Sequence, residues 1–184
     1  MSTLRDGSEL CLSCGMCCDG SLFSDGRLLD DEVDRARSLG MAIVEPSVAD
    51  GLSRFRQPCS CFRDGSCAVY DTWKPDVCTT YRCALLDGYT ARAIDLEACR
   101  DVVVSVRQVQ HELEAAMGLA DGTFTYSALL SYALTVRPHE QPERHVRFMT
   151  ACNRYLGLGR THFRFPTAEL AAIVAEAERG TAAV

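Results

Sequence analysis

Lysine is almost missing from this chain of 184 residues: Lys74 is the only one, and every other basic side chain is arginine. Arginine suits planar anion recognition, although a genome-wide codon bias explains the imbalance more simply. Basic charge is scarce overall. The net charge is −6 and the isoelectric point lies near 5.2, which disfavours a global nucleic-acid role because phosphate binding wants a basic surface. Long apolar runs are absent too. No stretch approaches the roughly 18 apolar residues needed to cross a bilayer, so no membrane role is expected. Residues Met1 to Gly7 lack the apolar run of a secretory signal, and the cytosol is the expected compartment. There is no repeat at solenoid spacing, no P-loop, no serine nucleophile elbow and no His-Glu-x-x-His motif. At 47% hydrophobic and 24% charged residues, the composition excludes a disordered chain.

Cysteine is what the chain has in excess. There are 11, and all but Cys152 lie at or before Cys99. An odd count without a secretory signal argues against a disulfide framework and for metal ligation. The first cluster is Cys11-Leu-Ser-Cys14-Gly-Met-Cys17-Cys18. Two thiols separated by two residues can curl around one ion, and Gly15 permits the tight backbone this requires. The second is Cys59-Ser-Cys61-Phe-Arg-Asp-Gly-Ser-Cys67-Ala-Val-Tyr70. The third is Lys74-Pro75-Asp76-Val77-Cys78-Thr-Thr-Tyr81-Arg82-Cys83. Nine thiols exceed one four-ligand zinc or iron–sulfur site, so two sites are possible. Cys17 and Cys18 are adjacent, and neighbouring side chains point different ways. The expectation is that they serve different metals or clusters, or that one does not coordinate. Cys99 and Cys152 read as small apolar core residues.

Taken together, Cys11-x-x-Cys14-x-x-Cys17-Cys18, Cys59, Gly65-x-Cys67-x-Val69-Tyr70 and Pro75-x-x-Cys78-x-x-Tyr81-x-Cys83 resemble the zinc- or iron-chelating CxxCxxCC family, the YkgJ-type cysteine-cluster proteins. The resemblance covers roughly residues 9 to 90. It implies a cofactor-binding set of Cys11, Cys14, Cys17, Cys18, Cys59, Cys67, Cys78 and Cys83, with Cys61 extra. Lys74 stands where the family usually has arginine, the segment Asp71-Thr72-Trp73 is one residue longer, and Thr79 replaces another arginine. One branch resembles flagellin lysine methylases, but no Gly-rich methyl-donor loop follows a strand here; Gly157-Leu-Gly159 follows a helix. The methylase activity is therefore not carried over.

The fold expected is mostly α with little strand: a loop-rich, metal-knuckled region over residues 1–100, packed on a small helical bundle over residues 101–184. In the first region one helix is expected from Asp31 to Leu39, capped by Asp30 and stopped by Gly40, followed by a short extended run, Met41 to Val44. In the second, helices are expected at Asp101 to Met117, ended by Gly118; from a cap at Thr123 or Thr125 to Val136, before Pro138; from Pro142 to Leu156, closed by Gly157; and from Ala168 to Arg179, capped by Thr167. His111, His139, His145 and His162 read as solvent-facing helix positions. Arg137, Arg144, Arg147, Arg154, Arg160 and Arg164, against Glu140 and Glu143, form a basic stretch that reads as a solvated helix face or as a dock for acidic groups. Trp73 and Tyr81 are expected to cover the metal site.

Three functions fit these observations. The favoured one is a cytosolic metalloprotein holding one or two iron–sulfur clusters, of the 4Fe–4S type, with a redox or accessory role in modifying or maturing a protein or peptide partner. The second is a structural zinc module for protein interaction. The third is an enzyme whose metal keeps an open coordination position. An all-thiol ligand set suits either metal.

Overall fold

A computed structural model describes residues 6–44, 46, 51–136, 141–165 and 167–181. Among these the chain is mostly α-helical with little strand. Its cysteine-rich part contains α1 (Ser8–Cys14), β1 (Asp25–Arg27), a 3-10 turn (Asp30–Glu32) leading into α2 (Val33–Ser38), β2 (Ile43–Val44), β3 (Arg54–Arg56), β4 (Phe62–Arg63), β5 (Ser66–Cys67), α3 (Asp76–Thr80) and α4 (Ala84–Thr90). Then come α5 (Leu96–Met117), α6 (Tyr126–Thr135), α7 (Pro142–Leu158), a π-helical turn (Gly159–Phe163) and α8 (Ala168–Thr181). β3 is the centre of an antiparallel sheet in the order β1-β3-β2, and β4 pairs with β5 as a hairpin.

The helical part follows local signals. The Thr125 hydroxyl accepts the Ala128 N–H and caps α6. Pro142 opens α7. Gly118 takes the left-handed conformation that ends α5. Three boundaries differ from the sequence expectation, one of them at α8, which runs through Gly180 to Thr181 rather than ending at Arg179. α5 starts at Leu96 rather than Asp101, because the Asp95 carboxylate accepts the Ala98 N–H at 2.8 Å and caps it earlier. α7 runs through Gly157 to Leu158. There tertiary packing overrides a local stop signal: Phe163 and Phe165 are both buried, and the chain turns only at Arg164, whose φ is 51°. The stop expected at Pro138, and His139, Arg137 and Glu140, lie outside the described residues. So does Met1 to Arg5.

α5 and α7 pack along their length around Val106, Val109, Leu113, Phe148, Cys152 and Tyr155. Leu10, Met16, Leu22, Leu85 and Leu86 from the cysteine-rich part belong to this same buried cluster. Each such side chain contributes roughly 1.5–3 kcal/mol on burial. A second, smaller cluster, Leu28, Ala36, Met41, Phe55 and Cys61, sits under the three-stranded sheet. Cys99 and Cys152 are fully buried, as small core residues should be. His145 differs from expectation: it is buried, at 5% exposure. His162 is half-buried, and the His111 side chain is exposed. The described part of the basic stretch docks onto the chain itself, with Arg154 on Glu112 at 2.5 Å and Arg164 on Asp87 at 2.6 Å.

Candidate metal centre

The first cysteine cluster begins on a helix rather than in a tight knuckle. α1 puts Cys11 and Cys14 three residues apart, on one face. Gly15 ends it with φ 67°, and a β-carbon there would meet the Phe62 ring at 2.6 Å, so glycine serves both the turn and the close approach. The loop that follows is held from the far half of the chain. Arg107 of α5 donates to the Cys14 carbonyl at 3.0 Å, to Ser21 Oγ at 3.0 Å and to the Asp19 carboxylate at 2.5 Å. The Tyr155 hydroxyl donates to the Ser21 carbonyl. Gln57 Nε2 donates to the Cys17 carbonyl at 3.0 Å, and the Cys59 N–H to the Cys18 carbonyl at 2.8 Å.

The third cluster rides on α3 and α4. Cys78 lies within α3, whose first N–H, that of Asp76, is taken at 2.6 Å by the buried carboxylate of Glu32. Glu32 also accepts from Leu29 at 2.9 Å, so this one side chain ties the 3-10 turn to the third cluster. Cys83 caps α4, its sulfur accepting the Leu86 N–H at 3.3 Å. Cys67 is placed by the β4–β5 hairpin opposite Phe62.

Nine cysteines, Cys11, Cys14, Cys17, Cys18, Cys59, Cys61, Cys67, Cys78 and Cys83, line one cavity of 580 Å³. All eleven cysteines of the chain are unpaired thiols. Their electrostatic neighbours divide them. Cys17 faces Cys14 and Cys83 most strongly, then Cys18 and Cys11; Cys14 faces Cys83 and Cys11; Cys11 faces Cys83. By contrast Cys18 faces Cys78, Cys67 and Cys59, and Cys78 faces Cys59 and Cys67. Packing divides them in the same way. Cys11, Cys14, Cys17 and Cys83 rest on the large helical core, whereas Cys59 rests on the smaller one. The result is an inner quartet of Cys11, Cys14, Cys17 and Cys83 and an outer quartet of Cys18, Cys59, Cys67 and Cys78. Cys61 is the ninth thiol: it lines the cavity and is hydrogen-bonded to Cys59, but it is buried within the smaller core and its thiol donates to the Leu39 carbonyl at 3.8 Å.

Burial dominates the acid–base behaviour of Cys11, Cys14, Cys17, Cys18, Cys59, Cys78 and Cys83. It pushes Cys14 up to about 12 and Cys59 up to about 11. Cys17 and Cys18 are driven well up and Cys11 is raised, first by burial and then by neighbouring thiols; Cys83 is raised by burial against the pull of backbone N–H groups. Without a cation these sulfurs stay protonated. A bound metal reverses the balance, because a coordinating thiol is deprotonated outright. Backbone N–H groups already point at the sulfurs of Cys14, Cys59 and Cys83. Gln57 Oε1, in the cavity lining, and Ser60 Oγ, between Cys59 and Cys61, are buried without a partner. The donor set therefore fits a metal-bearing group. Four thiolates around one zinc stand about 3.8 Å apart, given Zn–S distances near 2.3 Å. Among the described residues no three cysteine sulfurs lie within 4.8 Å of one another.

Around the quartets, Tyr81 lies beside Cys17 and Cys83, packs edge-on against Phe23 at 5.2 Å and donates to the Phe163 carbonyl. Trp73 does not line the cavity; it packs on the smaller core, under the Arg35 guanidinium. Lys74 does line it, with its ammonium 3.5 Å over the Tyr70 ring. A separate trio, His111, Glu114 and Asp121, brings its ligand atoms within 4.8 Å. Glu114 is buried there and uses both oxygens already, accepting the Phe124 N–H at 2.6 Å and meeting His111 Nδ1 at 2.9 Å. Sequence reasoning missed Arg107, Glu32 and Gln57. Arg107 had a signal, being a charged residue among the apolar positions of α5, but its partners in the cysteine loop lie more than 80 residues away.

No model of a protein family matches the chain, and no curated protein or solved structure matches it. The site is therefore read from its own residues.

Proposed function

We propose that this chain is an iron–sulfur protein carrying two four-iron clusters, one on the inner quartet of Cys11, Cys14, Cys17 and Cys83 and one on the outer quartet of Cys18, Cys59, Cys67 and Cys78. The observation that carries this reading is the convergence of nine thiols from three separated stretches on one 580 Å³ cavity. A closed zinc–thiolate site fills its own space and needs no such void. Thiols of which, among the described residues, no three lie within 4.8 Å of one another are set wide for a single ion and suit a ligand with four metal corners. When bound, such a cluster supplies one-electron redox chemistry. The protein's own part is to hold eight thiolates, to shield the inner four behind the helical core, and to aim N–H groups at Cys14, Cys59 and Cys83.

The role that follows is a redox or accessory one in modifying or maturing a protein or peptide partner. The eleven unpaired thiols suit a reducing compartment, so we place that role in the cytosol. Iron, acid-labile sulfide and the absorption spectrum of anaerobically purified protein test the reading. About eight irons and eight sulfides per chain are expected, with a brown colour. Zinc with no labile sulfide overturns it.

A further inference from the structure

Cys17 and Cys18 are joined by one peptide bond yet stand in different surroundings. Cys17 packs, with Cys11, Cys14 and Cys83, against the large helical core. The carbonyl of Cys18 is bound by the Cys59 N–H at 2.8 Å, and Cys59 rests on the smaller core. Consecutive Cα atoms are about 3.8 Å apart, so sulfurs on neighbouring residues cannot be further apart than about 10 Å. The two quartets also differ in access. The outer one contains Cys78, the exposed cysteine of the chain, whereas no member of the inner one is exposed. Three cations line their shared cavity, Arg27, Lys74 and Arg82; of these Lys74, held over Tyr70 at 3.5 Å, acts on both Cys11 of the inner quartet and Cys78 of the outer one.

We infer that the two quartets form an ordered one-electron relay, with entry at the outer quartet beside Cys78, transfer across the Cys17–Cys18 junction, and the inner quartet as terminus. This rests on the two-cluster reading above and adds an order and a partner class. The donor is a low-potential, one-electron carrier protein. In each event the donor is oxidised by one electron and the outer site is reduced by one. The outer site returns to its starting state when that electron passes to the inner site. No bond is made or broken and no proton need move. Lys74 offsets the negative charge that each electron adds.

The experiment uses full-chain, anaerobically prepared protein with its iron counted, reduced by flavodoxin hydroquinone in stopped flow and frozen for electron paramagnetic resonance. In the fully reduced wild type the spectrum is expected to be split by coupling between two close spins, and the absorbance to bleach in two ordered phases. Cys78→Ala is expected to slow reduction of the remaining inner site severalfold, while Cys14→Ala keeps the fast first phase. A wild-type spectrum equal to the sum of two isolated signals overturns the relay, as does an inner site reduced at the wild-type rate in Cys78→Ala. Where either variant fails to fold, the wild-type coupling and the two phases decide alone. An iron count near four per chain or lower removes the two-cluster reading itself. That result is distinct from an eight-iron protein with additive spectra, which removes only the relay.

Discussion

The helical part and the cysteine part of this chain reach order by different physics. α5 to α8 bury Val109, Leu113, Leu129, Phe148, Tyr155 and Leu170 nearly completely, enough apolar surface to hold a bundle by the hydrophobic effect alone. Residues 8 to 83 have for themselves the small cluster of Leu28, Ala36, Met41, Phe55 and Cys61. Their strands are two or three residues long, too short for a stable sheet. What they add is borrowed: Leu10, Met16 and Leu22 pressed into the bundle core, and a loop clamped by Arg107. On the function proposed above, coordination supplies the rest. A chain can thus build a rigid ligand cage without a large core of its own, provided a neighbouring bundle lends one.

Removing the metal is the strongest way to break this comparison. Anaerobic chelation, or Cys14→Ser, is expected to abolish hydrogen-exchange protection across residues 8–83 while α5 and α7 keep theirs. Circular dichroism should then retain most of the helix signal. Unchanged protection in the cysteine part after metal loss would show that the borrowed core suffices.

Cutting the clamp comes next. Arg107→Ala leaves Asp19, the Cys14 carbonyl and Gln110 Oε1 without their donor. Hydrogen bonds to charged groups are worth about 1.5–3 kcal/mol each, so a loss of about 3 kcal/mol in denaturant unfolding of the loaded protein is expected. Iron should also be released faster to a chelator. A midpoint and release rate equal to wild type would remove Arg107 from the account.

The two regions should also part in pH. In metal-free protein the buried thiols are raised, so the folded state holds their protons more tightly than the unfolded chain. Stability from them is full below the ordinary value of 9.0 and drains as pH climbs towards about 12, the value for Cys14. His145 has the opposite sign. Burial lowers it from 6.5, and its Nδ1 is buried without a partner. Its contribution is present above 6.5 and lost as pH falls through the lowered folded value. Metal-free protein is therefore expected to lose the cysteine part on the alkaline side and to weaken its bundle on the acid side. Thermal melts of His145→Leu, which should lack the acid limb, check the assignment.

The smallest effect belongs to one cap. Thr125→Ala removes the side-chain acceptor for the Ala128 N–H and should cost about 1 kcal/mol. That loss is expected to fall on the bundle, with iron content unchanged.

Local signals carried the helical part well. Thr125, Gly118 and Pro142 act where their residue types say they should, because a cap needs only neighbours three or four residues away. α1, α3 and α4 were not legible. They have seven, five and seven residues, below the length at which propensity alone forms a helix. They exist because Gly15, Glu32 and Cys83 close their ends, and because the bundle packs against α1 and α4 while α3 rests on β1 and the smaller core. Gly157 gave a stop signal that the burial of Phe163 and Phe165 overrode.

The amino-acid sequence by itself determined that three stretches carry the clustered thiols and that Cys99 and Cys152 stand outside them. Those facts depend on residue type and near spacing, which a linear string preserves. Only the tertiary structure decided that Cys17 turns to Cys83 and Cys18 to Cys59, that Cys61 spends its thiol on Leu39, and that Arg107 holds the loop. Each of those pairings joins residues 22 to 93 positions apart. Partners that distant are chosen by how elements pack, and no local propensity records them.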